Sequence, residues 1–222
     1  MIGQRRALQA QAFTDMAIDA QPKRLAQPQR LLTLRDGRQV TVRAAVASDA
    51  AELIQAFDRL SADSKYARFM AHKKQLNLAA LERSLHPVPG QAFVFVATVP
   101  ASDGLDIVGA AQYVRADSNS NSDSYSDSDS NSDSNDSDKR ACEFAITVAE
   151  DWRGSGLAVH LLASLVRRSR RDSYETMEGL VIAGNRPMLA VARKLRFKVE
   201  SVPADATVVR VERQLVRAER PR

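Results

Sequence analysis

The chain has one cysteine, Cys142, among 222 residues. A single thiol excludes an intrachain disulfide framework, and with only three scattered histidines it argues against a Cys/His zinc site as well. No metal is expected. No apolar run approaches the roughly 18 residues that a membrane-crossing helix needs, so no membrane partner is expected. The opening stretch, MIGQRRALQAQAFTDMAIDAQPKRLAQPQR, has arginines but no apolar centre, unlike a secretory signal. Residues 1–30 read instead as a flexible tail, with room for a short helix over residues 7–17. Aromatics are scarce, at 5%, and no nucleic-acid-binding motif is present, which argues against a nucleic-acid partner. No internal repeat occurs at solenoid periods. The reducing cytoplasm is the expected compartment.

What the chain does have is enough apolar residue, 44%, to bury one domain's core. Its net charge is +5. That figure conceals a contrast, because residues 117–138 contain seven aspartates, ten serines, four asparagines and one tyrosine. Such a segment cannot bury apolar surface and reads as a disordered loop insertion between two strands. Loop-closure entropy grows slowly with length, so a fold tolerates it there. The rest of the chain is strongly basic, suited to phosphates or acidic surfaces or simply to a solvated basic face. The domain itself is expected over residues 31–216, with 217–222 as a C-terminal tail.

The hydrophobic patterns give an order of elements. LLTL and QVTVRAA flank Asp36-Gly37, a hairpin signal. Ser48 is placed to cap a helix over residues 49–60 with a stripe of Ala51, Leu53, Ile54 and Phe57. Two further helices are expected over 64–71 and 78–85, the last stopped by Pro87, Pro89 and Gly90. AFVFVATV reads as a strand buried on both faces. DIVGAAQYVR and CEFAITV read as strands on either side of the acidic insertion. A helix over 156–171, the strand TMEGLVI, a helix over 186–195 and the strands FKVES and TVVRVERQL follow. The result is an α/β fold on one mixed sheet.

The chemistry concentrates in CEFAITVAEDWRGSGLAVHLL. Leu157, Leu161 and Leu165 recur at one helical spacing, and Ala158, Leu162 and Val166 give a parallel row. The first N–H groups of such a helix lack intrahelical partners and its dipole makes that end positive. Gly154 and Gly156 remove side chains there, so an anion can approach the amides, and Arg153 adds charge. A dinucleotide fingerprint fits poorly, because Val159 stands where its third glycine would be and the early strand-helix-strand context is missing. A P-loop fails for want of Gly-Lys-Ser/Thr. A plain structural turn and a coenzyme A site both remain open on these residues alone. Asn185, opening the next helix, fits an N-cap and a ligand contact equally well.

RGSGLA resembles the Arg/Gln-x-x-Gly-x-Gly/Ala signature of the GNAT superfamily of acyl-CoA-dependent N-acetyltransferases. GLVIAGNRPMLAVARKLRFKVE resembles the next strand, helix and strand of that family. LRDGRQVTVRAAVASDAAELIQAFDRLSADSKYARFM resembles the opening of the acetyltransferase domain of bacterial Pat-type protein lysine acetyltransferases. The resemblance spans residues 31–215 apart from the insertion. It implies a GNAT-like mixed, mostly antiparallel central sheet flanked by helices. It implies transfer of an acetyl group from acetyl-CoA, the co-substrate, to an amine acceptor, either a small molecule or a protein lysine. Backbone at Ile146, Thr147 and Val148 would meet the pantetheine arm. Arg153, Gly154, Ser155, Gly156, Leu157 and Ala158 would hold the pyrophosphate, and Asn185 would touch the cofactor arm. Glu143 matches the general base of the EFA motif. The state would be a monomer or homodimer.

The chain departs from the family at Arg196, where Gly usually precedes Phe, and no segment of these residues resembles the ligase-like domain of the larger Pat proteins. The helix RPMLAVARKL also lacks the tyrosine that many relatives use as general acid. Tyr66 and Tyr113 are the candidates for that role. His160 reads as a groove or surface residue, Trp152 as packing beside the turn, and Cys142 as facing away from Glu143 across the strand. The missing tyrosine and Arg196 leave a non-catalytic CoA-binding regulatory module as the alternative.

Overall fold

A computed structural model describes residues 29–102, 104–116, 140–203 and 205–215. The expectations for residues 1–28, for 117–138 and for 217–222 lie outside the described residues.

Eight strands form one sheet: β1 (Arg30–Thr33), β2 (Gln39–Ala44), β3 (Ala92–Ala101), β4 (Gly104–Arg115), β5 (Ala141–Val148), β6 (Thr176–Ile182), β7 (Lys198–Val202) and β8 (Asp205–Gln214). Helices α1 (Ala50–Asp58), α2 (Ala62–Phe69) and α3 (Leu78–Leu85) lie between β2 and β3. Helix α4 (Leu157–Arg171) joins β5 to β6, and α5 (Arg186–Lys194) joins β6 to β7. The sheet order is β1-β2-β3-β4-β5-β6-β8-β7. Every neighbouring pair is antiparallel except β5 with β6. A parallel pair needs a long crossover, and α4 supplies it.

The core follows from the sequence pattern. Leu157, Leu161, Leu162, Leu165 and Val166 of α4 are all buried, the two predicted rows forming one apolar face. Each such side chain contributes about 1.5–3 kcal/mol by leaving water. On β3, Phe93, Val94, Val96, Ala97 and Thr98 are buried, pointing to both faces, as a central strand contacted by α3 and α4 requires. The Asp36-Gly37 hairpin forms as read: Gly37 takes a positive φ of 85°, and the Leu34 N–H donates to the Arg38 carbonyl at 2.8 Å.

Two local details differ from expectation or explain it. Ser48 does not cap α1. It lies in a 3-10 turn, Ala47–Asp49, where the Asp49 carboxylate accepts the Val46 N–H at 2.8 Å and both Arg43 donors at 2.7 Å. A carboxylate with a guanidinium partner outcompetes a hydroxyl for that corner. Arg196, in the place of the family's glycine, has φ 61°. It follows the last turn of α5, where the Phe197 N–H reaches the Ala192 carbonyl at 3.0 Å, so the chain needs a left-handed residue to leave the helix. An arginine there carries strain on the order of 1 kcal/mol that glycine would avoid.

Candidate active site

The site is built from a ladder that stops. β5 pairs with β4 along Cys142 to Val148. On its other side it pairs with β6 only at Ala141, Cys142 and Glu143, opposite Thr176, Met177 and Glu178. β6 continues in register with β8 as far as Ile182. Past Glu143, therefore, β5 and β6 part, and Ile146, Thr147 and Val148 line the opening. Gly179 sits at the point of parting. A side chain on it would meet the Phe144 carbonyl at 3.2 Å and the Phe144 ring at 3.1 Å, so the close approach of the two strands just before they separate requires a glycine.

β5 then runs into a 3-10 turn, Glu150–Trp152, and the glycine turn. Gly154 and Gly156 have φ of 75° and 94°, in the region that L side chains avoid. Gly156 is the N-cap residue of α4 and offers no side chain to the helix end. Ser155 is buried, its hydroxyl donating to the Trp152 carbonyl at 2.6 Å and accepting the Leu157 N–H at 3.3 Å. Its side chain braces the turn from inside. Ala158 is the second residue of the helix, so its N–H belongs to the unpaired first turn.

Arg35, at the tip of the β1–β2 hairpin, holds this turn from across the chain. Its Nη2 donates to the Gly154 carbonyl at 2.9 Å and its backbone N–H donates to the Ser155 carbonyl at 3.1 Å. A Cβ on Gly156 would come within 3.1 Å of Arg35 Nε. Beside it, the Arg38 guanidinium stacks 3.9 Å over the half-buried Trp152 ring. Nothing in the local sequence marks Arg35, which reads as an ordinary hairpin residue.

Arg153 turns toward α2. It donates to the Ser64 hydroxyl and lies 3.7 Å from Glu150. Glu150 accepts the Ser61 N–H at 2.9 Å and the Ser64 hydroxyl at 2.6 Å. Hydrogen bonds from Ser61 and then Ser64, with the Arg153 charge, hold its carboxyl down to about 2. This network ties the start of α2 to the glycine turn.

Glu143 keeps contact with solvent, yet its carboxyl titrates above the ordinary glutamate range. Loss of hydration among neighbouring atoms is the main cause, the Glu178 carboxylate adds to it, and Arg68 of α2 opposes it. A carboxylate with raised proton affinity at a strand opening is suited to accept a proton.

The remaining predicted residues sort clearly. Asn185 caps α5, its Oδ1 accepting the Met188 N–H at 3.1 Å. Tyr113 is fully buried, its hydroxyl donating to Asp172 at the other end of α4 and its pKa pushed well up by burial. Tyr66, on α2, is 38% exposed and packs against His72, so of the two tyrosines it has the access to solvent that an acid needs. Cys142 is buried with its thiol donating to the Thr176 carbonyl at 3.6 Å and its pKa raised to about 12, chiefly by burial, so it is no nucleophile. His160 is half-buried, and burial and then Arg30, Arg167 and Lys194 lower its pKa. Among the described residues no group of three His, Cys, Asp or Glu side chains could hold a metal ion, and no helix is long and apolar enough to cross a membrane. Two surface hollows, one of about 410 Å³ lined by Ala79, Glu82, Arg83 and His86 and one of about 280 Å³ beside Arg170, Arg196 and Arg213, contain no residue of the turn or of β5.

Comparison with known proteins meets this geometry. The family model described as acetyltransferase (GNAT) family matches residues 54–197. Acetyltransferase PA5475 of Pseudomonas aeruginosa is 28% identical over 177 residues, covering 80% of this chain and 84% of that protein. The GNAT domain of S. lividans PAT has the same fold, with a TM-score of 0.69 at 22% identity, over 84% of this chain and 96% of that one. So does yncA of Salmonella typhimurium, a putative acetyltransferase solved with its cofactor acetyl-CoA, with a TM-score of 0.58 at 16% identity over 82% of this chain and 98% of that one. Enzymes of this family use acetyl-CoA and act on amine acceptors. The chain belongs to the GNAT family of acetyltransferases and is an acyltransferase.

Proposed function

We propose that the protein transfers the acetyl group of acetyl-CoA to a primary amine, with Glu143 as general base and a protein lysine as the first acceptor class. The observation that carries this reading is the parting of β5 from β6 directly after Glu143, at the strand that feeds the glycine turn. The turn of Gly154, Ser155 and Gly156, with the first helical residues Leu157 and Ala158 at the positive end of α4, fits a pyrophosphate. Arg153 would leave Ser64 to reach it. The strand edge freed at Ile146, Thr147 and Val148 fits an amide-bearing arm, which would extend the ladder where β6 has left it. An N–H on that edge also suits the negative charge that develops on the thioester oxygen.

A free lysine amine is protonated at neutral pH, its pKa being about 10.4. Glu143 takes the proton, directly or through water. The amine nitrogen then bonds to the carbonyl carbon, the carbon–sulfur bond breaks, and the surplus proton left on the nitrogen passes through Tyr66 or water to the departing thiolate. The preference for protein lysine rests on the Pat-type resemblance of residues 31–69, which include α2, the helix packed on β5.

The test is acetyl transfer from labelled acetyl-CoA to a panel of small amines and lysine-containing proteins, by the wild type and by Glu143→Gln. A drop of about 10²–10⁴ in kcat with unchanged acetyl-CoA affinity is expected for the variant. Full activity of the variant would remove Glu143 from the mechanism. Uptake of acetyl-CoA by the wild type with no amine acetylated would leave a regulatory binding module instead.

A further inference from the structure

Strand register places three carboxylates side by side on one face of the sheet. Glu143 of β5 lies opposite Glu178 of β6, and Glu178 lies opposite Glu212 of β8. Residues paired in this way present their side chains to the same face, with Cβ atoms about 4.5–5.5 Å apart. Met177, Val211 and Cys142, one position along on each strand, point into the core, so the three glutamates occupy the opposite face. Like charges so aligned are unfavourable, and the row has one guanidinium built into it. Arg210 of β8 donates to Glu178 and lies 3.3 Å from Glu212. Glu212 also accepts from the Gln214 amide at 3.0 Å. Glu178 and Glu212 are thus held by Arg210, and Glu143 stands at the end of the row, at the last rung before the strands part.

The groups that surround Glu143 are few. From β4 its partner is the uncharged Val114. From β6 it faces Glu178, and from α2 Arg68 is the opposing cation. Beyond Glu178 stand Arg210 and Glu212, and from β7 Lys198 lies opposite Glu212 and Glu200 opposite Arg210. The ion pair with Arg210 gives the Glu178 carboxylate a partner, and the register sets the same carboxylate beside Glu143.

We propose that Glu178, restrained by Arg210, is a positioning residue that sets the proton affinity of Glu143 and so its strength as a base. The proposal rests on the reading of Glu143 as the general base. Negative charge on Glu178 disfavours ionisation of Glu143 and makes the ionised form a better proton acceptor. Arg210 limits this by neutralising part of the Glu178 charge. The direction of the Glu143 shift agrees, with Glu178 contributing to it.

The coupling is measured on the full chain without substrate, by following the side-chain carboxyl carbons of 13C-labelled glutamate through a pH titration. The signal lost in Glu143→Gln identifies Glu143. Glu178→Gln is expected to move the Glu143 midpoint to lower pH by on the order of one unit, and Arg210→Gln to move it to higher pH. Opposite displacements distinguish an electrostatic role from a structural one, since loosening the sheet would move both variants the same way. In the acetylation assay the acidic limb of kcat/KM should follow the same displacements. An unchanged midpoint in Glu178→Gln, or displacements of one sign in both variants, overturns the coupling even if Glu143→Gln is inactive. If Glu178→Gln does not fold, Arg210→Gln decides alone: a midpoint that stays or falls overturns the proposal. Displaced midpoints together with a fully active Glu143→Gln would instead sink the base assignment on which the proposal rests.

Discussion

The two ends of α4 handle polar groups in opposite ways. At the C-terminal end everything is closed. Asp172 accepts from buried Tyr113 and from Arg168 Nε at 2.7 Å, and the Tyr174 hydroxyl donates to the Gly90 carbonyl at 2.7 Å. At the N-terminal end, Gly156 provides no capping side chain, the Ser155 hydroxyl faces inward, and the neighbouring strands diverge. Both ends are tightly specified in sequence. Only one, among the described residues, ends at a glycine beside diverging strands, and that is the end proposed to take a ligand.

The contrast is broken most severely at Gly156. Gly156→Val would need a branched side chain at φ 94° within reach of Arg35. Loss of acetyl-CoA uptake in calorimetry is expected, while a cooperative thermal transition persists. Gly154→Ala, with nothing within 4 Å of its new Cβ, should weaken uptake by only about tenfold, equivalent to about 1.4 kcal/mol.

Tyr113→Phe addresses the closed end. It leaves Asp172 short of a buried donor and should lower stability by about 1–3 kcal/mol, seen as a lower Tm, with acetyl-CoA affinity unchanged. Reduced affinity with unchanged Tm would reverse the assignment of the two ends.

The smallest effect concerns the tether between the turn and α2. Glu150 titrates below its unfolded value, so its contribution to stability is fully present above about pH 4.5 and is lost as the pH falls through about 2. Thermal melts of wild type and Glu150→Gln should therefore differ slightly at pH 6 and converge near pH 2. A constant difference across that range would show that the Glu150 charge is not what ties Ser61 and Ser64 to the turn.

What could be read in the sequence was whatever one segment decides by itself. The leucine rows of α4, the two-faced burial of β3 and the Asp36-Gly37 hairpin each follow from spacing over a few residues, and each is found. The glycine turn was legible because positive φ has so few solutions. Contacts between distant segments were not. Arg35 grips a turn 119 residues away. The carboxylate row exists only once the registers of β5, β6 and β8 are fixed. Tyr66 and Tyr113 could not be separated until the sheet buried one of them. At Ser48 the local rule pointed to a hydroxyl cap, and Arg43, on the preceding strand, decided for Asp49 instead.

The Arg35 contact also bears on how the protein comes to be made. The hairpin tip leaves the ribosome long before the turn it will grip, and must wait for β2 to β5 and the three helices among them to be synthesised. A fragment starting beyond Arg35 could keep every leucine of the central helix and still fail to shape the loop at its head, so the earliest hairpin sets the form of that loop as much as the glycines themselves.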